Sequence, residues 1–160
     1  MKIKTPIIGI PKWKWKKQLV GYAKENPNIC NIDIVDSCYE CSRHKELLKM
    51  VDISADISSI VKSDYYIYQK TKNKHKNIMK KIEYFKSLYN SILEKGCLSI
   101  PIITDDGCRL DGSHRLSILL HLGVKRFDVN VAVYEKCFSN QKSKKIRSRI
   151  VKYRKKIYGI

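Results

Sequence analysis

Five consecutive residues, Asp111-Gly112-Ser113-His114-Arg115, set a carboxylate, a hydroxyl, an imidazole and a guanidinium around one glycine. A turn of this kind that feeds a helix leaves backbone N–H groups without intrahelical partners. The helix dipole adds positive potential there, so an anion is favoured. Gly112 lets backbone and ligand approach closely, and Ser113 can cap the helix or donate its hydroxyl. His114 brings a titratable donor and Arg115 a fork suited to phosphate oxygens, while Asp111 can orient a metal ion or a hydroxyl. The same residues also spell an ordinary turn, with Ser113 as N-cap and Arg115 as a surface base. The setting favours a ligand: the cluster lies between a hairpin and an apolar helix, where a buried His and Arg are costly unless they serve something.

The elements that must position this turn are legible on both sides of it. Leu98 to Thr104 reads as a buried strand, Asp105-Asp106-Gly107 as a tight turn and Cys108-Arg109-Leu110 as the returning strand. After the motif, Leu116, Ile118, Leu119, Leu120 and Leu122 make a buried helix closed by Gly123. Arg126 to Val133 then alternates, placing Phe127, Val129, Val131 and Val133 on one face and Arg126, Asp128 and Asn130 on the other. Upstream, Ile78, Met79, Ile82, Phe85, Leu88, Tyr89, Ile92 and Leu93 recur at helical spacing between His75 and Lys95, and Gly96 stops that helix. Asn31 to Asp36 reads as a short strand and Lys45 to Met50 as a helical turn or two. Val51-Asp52-Ile53 and Ile57 to Val61 are short β-branched runs that read as weak strands, and Tyr65, Tyr66 and Tyr68 beside Lys70 either line an acceptor site or, as alternating Tyr in a short strand more often does, pack. Lys12-Trp13-Lys14-Trp15-Lys16-Lys17 is an edge strand or helix start that docks its Trp residues, or a surface that offers them to a membrane or to bases.

The 160 residues suit one domain with appendages, and 43% apolar content argues against wholesale disorder. No apolar run approaches the ~20 residues that span a bilayer, and the N-terminus lacks the features of a signal peptide. Cytoplasm is the default, with a membrane-peripheral position open to the basic tails. The formal charge of +18 sits at the ends: residues 1–24 carry seven Lys and no acid, and residues 136–160 carry ten Lys or Arg and no acid. Lys outnumbers Arg 26 to 7, a drift that needs no function. In the C-terminal tail Ile146, Ile150, Tyr153 and Ile157 recur at helical spacing, giving a basic amphipathic helix that docks on its own domain, lies on an anionic membrane or grips nucleic-acid phosphates. Cys30, Cys38, Cys41 and His44 could share a zinc ion, but a single Cys-x-x-Cys is half of the usual pattern. Reduced thiols are the simpler reading, and no metal ligands are assigned.

Pro101-Ile102-Ile103, the run Arg109 to Leu119, Gly123-Val124 and the strand Asp128 to Val133 together resemble the ParB/sulfiredoxin superfamily. The likeness covers residues 50–135, with Ile57 to Gln69 as its opening strand region and the helix at 75–95 beside it. It implies an α+β fold with a small mixed sheet and packed helices: a basic N-terminal extension over residues 1–47, the ParB/sulfiredoxin-like domain over 48–135 and a basic tail over 136–160. Sulfiredoxins place a Cys directly before the His-Arg pair where this chain has Ser113, which counts against peroxiredoxin repair. The ParB pattern Gly-Glu-Arg-Arg-x-Arg is replaced by Gly112-Ser113-His114-Arg115-Leu116-Ser117, which counts against a CTP clamp. Asp-Gly-x-His-Arg is similar to the free serine kinases of the superfamily and to proteins associated with surface-polysaccharide genes. The resemblance therefore implies phosphoryl transfer from ATP or ADP, with Mg²⁺, to a small hydroxylated acceptor. Asp111, His114 and Arg115 would act in catalysis, and Gly112, Ser113, His114 and Arg115 would bind the nucleotide. Asp56 and Asp64 are upstream candidates for a second carboxylate. The alternative is a DNA-associated, nucleotide-binding regulator without enzymatic activity.

Overall fold

A computed structural model describes residues 2–3, 9–34, 42–52, 56–72 and 77–159. In chain order the elements are β1 (Lys2–Ile3), α1 (Trp13–Glu25), β2 (Ile29–Ile34), α2 (Ser42–Asp52), α3 (Ile57–Ile60), α4 (Asp64–Lys72), α5 (Ile78–Lys95), β3 (Ile102–Thr104), β4 (Arg109–Asp111), α6 (Ser113–His121), β5 (Arg126–Ala132), α7 (Tyr134–Cys137) and α8 (Asn140–Tyr158). The chain is α+β. It divides into two compact units, one made of residues 1–39, 100–113 and 125–160, the other of 40–99 and 114–124.

The first unit carries the sheet, in the order β1-β2-β5-β3-β4. β5 is the central strand, antiparallel to β2 and parallel to β3, and β3 returns through the expected hairpin to β4. The incoming strand begins at Ile102, four residues later than the apolar run from Leu98 suggests, because Leu98 is 77% exposed and lies outside the ladder. The Trp-Lys alternation starts a helix: Trp15, Leu19 and Ala23 are buried at fourfold spacing along α1, whereas Trp13 is exposed. They join Ile102, Leu110, Ala132 and Tyr134 in one core, into which α8 inserts Ile146 and Ile150, both fully buried. The C-terminal helix is thus part of this unit's core, capped at its start by Ser139, whose side chain accepts from Lys142 N–H.

Alternation along β5 breaks at Asn130. This side chain stands on the face of Arg126 and Asp128, as the sequence pattern assigns it, yet it is 7% exposed because α1 covers that part of the face. The reason lies in α1. Pro27 has no N–H to give the Ala23 carbonyl, the acceptor four residues before it, and Asn130 Nδ2 donates to that carbonyl at 2.9 Å. Its Oδ1 accepts from Asn28 N–H at 2.9 Å, so one amide closes the helix end and the start of β2 together.

The second unit is helical. α5 buries Ile78, Ile82, Phe85, Tyr89 and Ile92 on one face; Asn77 caps it, and Gly96 ends it at φ 75°. Among the described residues of this unit, three runs expected as strands are helical. Val51 and Asp52 lie in α2, Ile57–Ile60 is the helical turn α3, and Tyr65, Tyr66 and Tyr68 lie on α4. Ile53 lies outside the described residues. The cause is local: Asp56 accepts from Ser59 N–H at 2.8 Å and starts a helix in a run too short to show a period of 3.6. The region 57–69, which the resemblance assigns to an opening strand, is therefore helix, turn and helix.

Candidate functional site

The boundary between the two units falls inside the motif, between Ser113 and His114. In the first unit, β4 delivers Asp111, and the backbone then bends at Gly112, which is buried and adopts φ 85°. That conformation suits glycine. Asp111 Oδ1 accepts from Gly112 N–H at 2.8 Å and holds the bend, and Ser113 begins α6. Two residues before Asp111, on the same face of β4, stands Arg109. The backbone of Gly9 bridges to this residue, and a Cβ at position 9 would lie 3.2 Å from Arg109 Nη2. Lys16 of α1 belongs to the same cluster. Its ammonium is pushed below the usual lysine range, first by burial and then by the Arg109 guanidinium, with Asp111 acting in the opposite sense. Sequence reasoning missed this pair of cations; Arg109 was detectable from its period-two relation to Asp111, whereas nothing in the run around Lys16 links it to a residue more than ninety positions away.

In the second unit, His114 is half-buried beside two aromatic rings. Phe85 meets it edge-on at 4.9 Å between centroids, and its Nε2 lies 3.5 Å from the Tyr65 hydroxyl. Tyr65 itself is buried, so its expected packing role holds although its element is a helix. Arg115 Nη1 donates to the Ser99 carbonyl at 2.8 Å and also to the Ser99 hydroxyl. This ties the first turn of α6 to the segment that follows α5. Burial raises the neighbouring Cys97 thiol, and the Arg115 charge offsets part of that rise. Asp56 is committed to capping α3, with Ser58 Oγ donating to it as well, and Asp64 opens α4 with its N–H donating to Glu46 Oε2 at 2.9 Å.

A second polar cluster was not foreseen at all. At the hairpin turn, Asp106 Oδ1 accepts from the Thr104 hydroxyl and from Tyr134 OH, the latter at 3.1 Å. Arg154 of α8 donates to the Asp106 carbonyl at 2.8 Å, and Arg147 of α8 pairs with Asp105 at 2.7 Å and Glu135 at 2.9 Å while lying over the Tyr134 ring. Burial holds the Tyr134 hydroxyl far above its usual range, so it remains a neutral donor. Two bases of the supposed tail are thereby ion-paired within the first unit.

No family model, curated protein or solved structure matches this chain. Of the zinc candidates, Cys38 and Cys41 lie outside the described residues, as does the side chain of His44; Cys30 is half-buried, its thiol 3.8 Å from Asn28 Oδ1. Among the described residues, no group of three or more His, Cys, Asp or Glu side chains is placed to hold a metal ion, and no helix is long and apolar enough to cross a membrane.

Proposed function

We propose that the chain binds nucleotide phosphates at Asp111–Arg115 and transfers the terminal phosphoryl group of ATP or ADP to the hydroxyl of a small acceptor. The observation that carries this reading is the buried, left-handed Gly112 directly before the first turn of α6, where the helix dipole adds a positive potential that favours an anion. Arg109 and Lys16 support it, because burial first and the Arg109 charge second lower the Lys16 ammonium, and an anion there would offset the second of these. In this reading Ser113 donates to a phosphate oxygen, and His114 and Arg115 stabilise charge on the transferred group. Mg²⁺ would arrive with the nucleotide and spread the phosphate charge, with Asp111 as the protein group that orients it or the acceptor hydroxyl. Transfer forms the bond from the acceptor oxygen to phosphorus, breaks the bridging P–O bond, and releases ADP or AMP and the hydroxyl proton. A role in surface-polysaccharide biosynthesis rests on the resemblance alone.

Isothermal titration of the full chain with ATP, ADP and CTP in Mg²⁺ tests the reading, beside Arg115→Ala and Ser113→Ala. Saturable binding of an adenine nucleotide that weakens about tenfold or more in either variant is expected, the loss of one charge-assisted hydrogen bond. Because Arg115 also holds Ser99, thermal unfolding of each variant separates a lost ligand contact from a lost fold. Absence of binding by all three nucleotides would overturn the proposal.

A further inference from the structure

Away from the motif, α1 and α8 of the first unit flank an open depression of about 620 Å³. Lys12 enters it from the start of α1, and Lys142, Lys145 and Arg149 line it from α8, over a floor of Trp15 and Ile146. No carboxylate lines it. The four cationic side chains are solvent-exposed, whereas the floor is buried, so the feature is an open, positively charged groove. Trp15 stiffens it: the Lys12 ammonium lies 5.0 Å from the ring centroid and the Arg149 guanidinium 5.6 Å.

We propose that this groove binds the sugar-phosphate backbone of a nucleic-acid strand. Lys142, Lys145 and Arg149 follow one another at spacings of three and four on one side of α8. At a rise of about 1.5 Å per residue the three charges span roughly 10 Å, the axial length of about three nucleotides at 3.4 Å each. Lys12 meets the same strand from the opposite wall. The carboxylates that could compete are elsewhere, since Asp105 and Glu135 are paired with Arg147 and Asp106 with Arg154. An anionic membrane fits this helix less well. Interfacial helices bury an apolar face in lipid, and here Ile146 and Ile150 are fully buried in the unit's own core. Apart from Val151, the described side chains that α8 exposes are polar or basic, which a phosphodiester backbone matches.

The test is fluorescence anisotropy of a labelled oligothymidylate of ~20 nucleotides with the full chain across a salt series. Four phosphate contacts predict a salt slope of about −2.8, a loss of about 50-fold in affinity for a fourfold rise in salt. The double variant Lys142→Gln/Lys145→Gln is expected to flatten the slope by about 1.4, leaving a loss of about sevenfold over the same range. Lys152→Gln/Lys156→Gln removes the same charge from exposed positions of α8 outside the groove and is expected to leave the slope unchanged. Equal effects of the two double variants would overturn the groove in favour of diffuse attraction. So would failure of the wild-type chain to bind the oligonucleotide, including the case in which phosphatidylserine vesicles bind and lose binding in the groove variant.

Discussion

Replacing Asn130 with valine removes one side-chain amide and strands two backbone groups, the buried Ala23 carbonyl and the half-buried Asn28 N–H. By strand propensity alone the change is favourable, since valine fits a pleated sheet better than asparagine by up to about 1 kcal/mol. The structure reverses the sign. The Ala23 carbonyl has no helical partner because Pro27 lacks an N–H, and Asn28 N–H points at the Asn130 amide oxygen, so both lose their hydrogen bond in the variant. The buried Ala23 carbonyl left unsatisfied costs about 1–3 kcal/mol and the half-buried Asn28 N–H about 0.5–1.5 kcal/mol, so after subtracting a propensity gain of up to about 1 kcal/mol the net loss is roughly 0.5–4.5 kcal/mol. Urea unfolding followed by far-ultraviolet circular dichroism measures it: the midpoint falls while the slope stays constant. Asn31→Val, one strand away and exposed, is the control, and we expect it within about 0.5 kcal/mol of the parent. A midpoint for Asn130→Val equal to or above that of the parent would refute the account of how α1 ends.

Three further outcomes follow from the packing and the local charges. Ile150→Ala empties a fully buried site of α8 and is expected to cost about 2–5 kcal/mol by the same assay, and a chain truncated after residue 135 to lose its cooperative transition. Gly112→Ala forces a Cβ onto a left-handed backbone and is expected to destabilise by about 1–2 kcal/mol, while Gly21→Ala, in the open middle of α1, stabilises. The Asp56 carboxyl is held below its ordinary range, chiefly by the Ser59 N–H, so its contribution is full above the unfolded carboxylate range and disappears as pH falls through the lowered folded value. The stability difference between the parent and Asp56→Asn is therefore expected to be flat near neutrality and to shrink in acid.

Much of the fold is written in periods that survive without context. The eight apolar positions of α5 announce that helix, although Leu93 turns out 55% exposed because the buried face is narrower than the apolar one. The hairpin, α6 and β5 are legible for the same reason. What escapes is set by partners distant in sequence or by runs too short to have a period. Ile57-Ser58-Ser59-Ile60 is ambiguous until the Asp56 cap is weighed, and the burial of Asn130 rests on a helix end more than a hundred residues earlier. Arg147 and Arg154 look like loose tail charges, yet they close on the acids of the hairpin turn, 42 and 48 residues upstream. At the motif, Gly112 and Ser113 sit where a turn into a helix demands. The hold of Arg115 on Ser99 and the approach of Lys16 to Arg109 needed the structure.

The position of β5 also governs when the sheet can exist. β2 is complete at Ile34 and β1 precedes it, but its neighbour on the other side begins at Arg126. At about 5–20 residues per second, the ribosome takes roughly 5–20 s to deliver that neighbour, while helices of the second unit close within their own stretch of chain. Through that interval Ile29 to Ile34 has only the two residues of β1 to pair with, and the charges nearest in sequence that can keep it from meeting another of its kind are Lys24 and Glu25 before it, Asp33 within it and Asp36 after it.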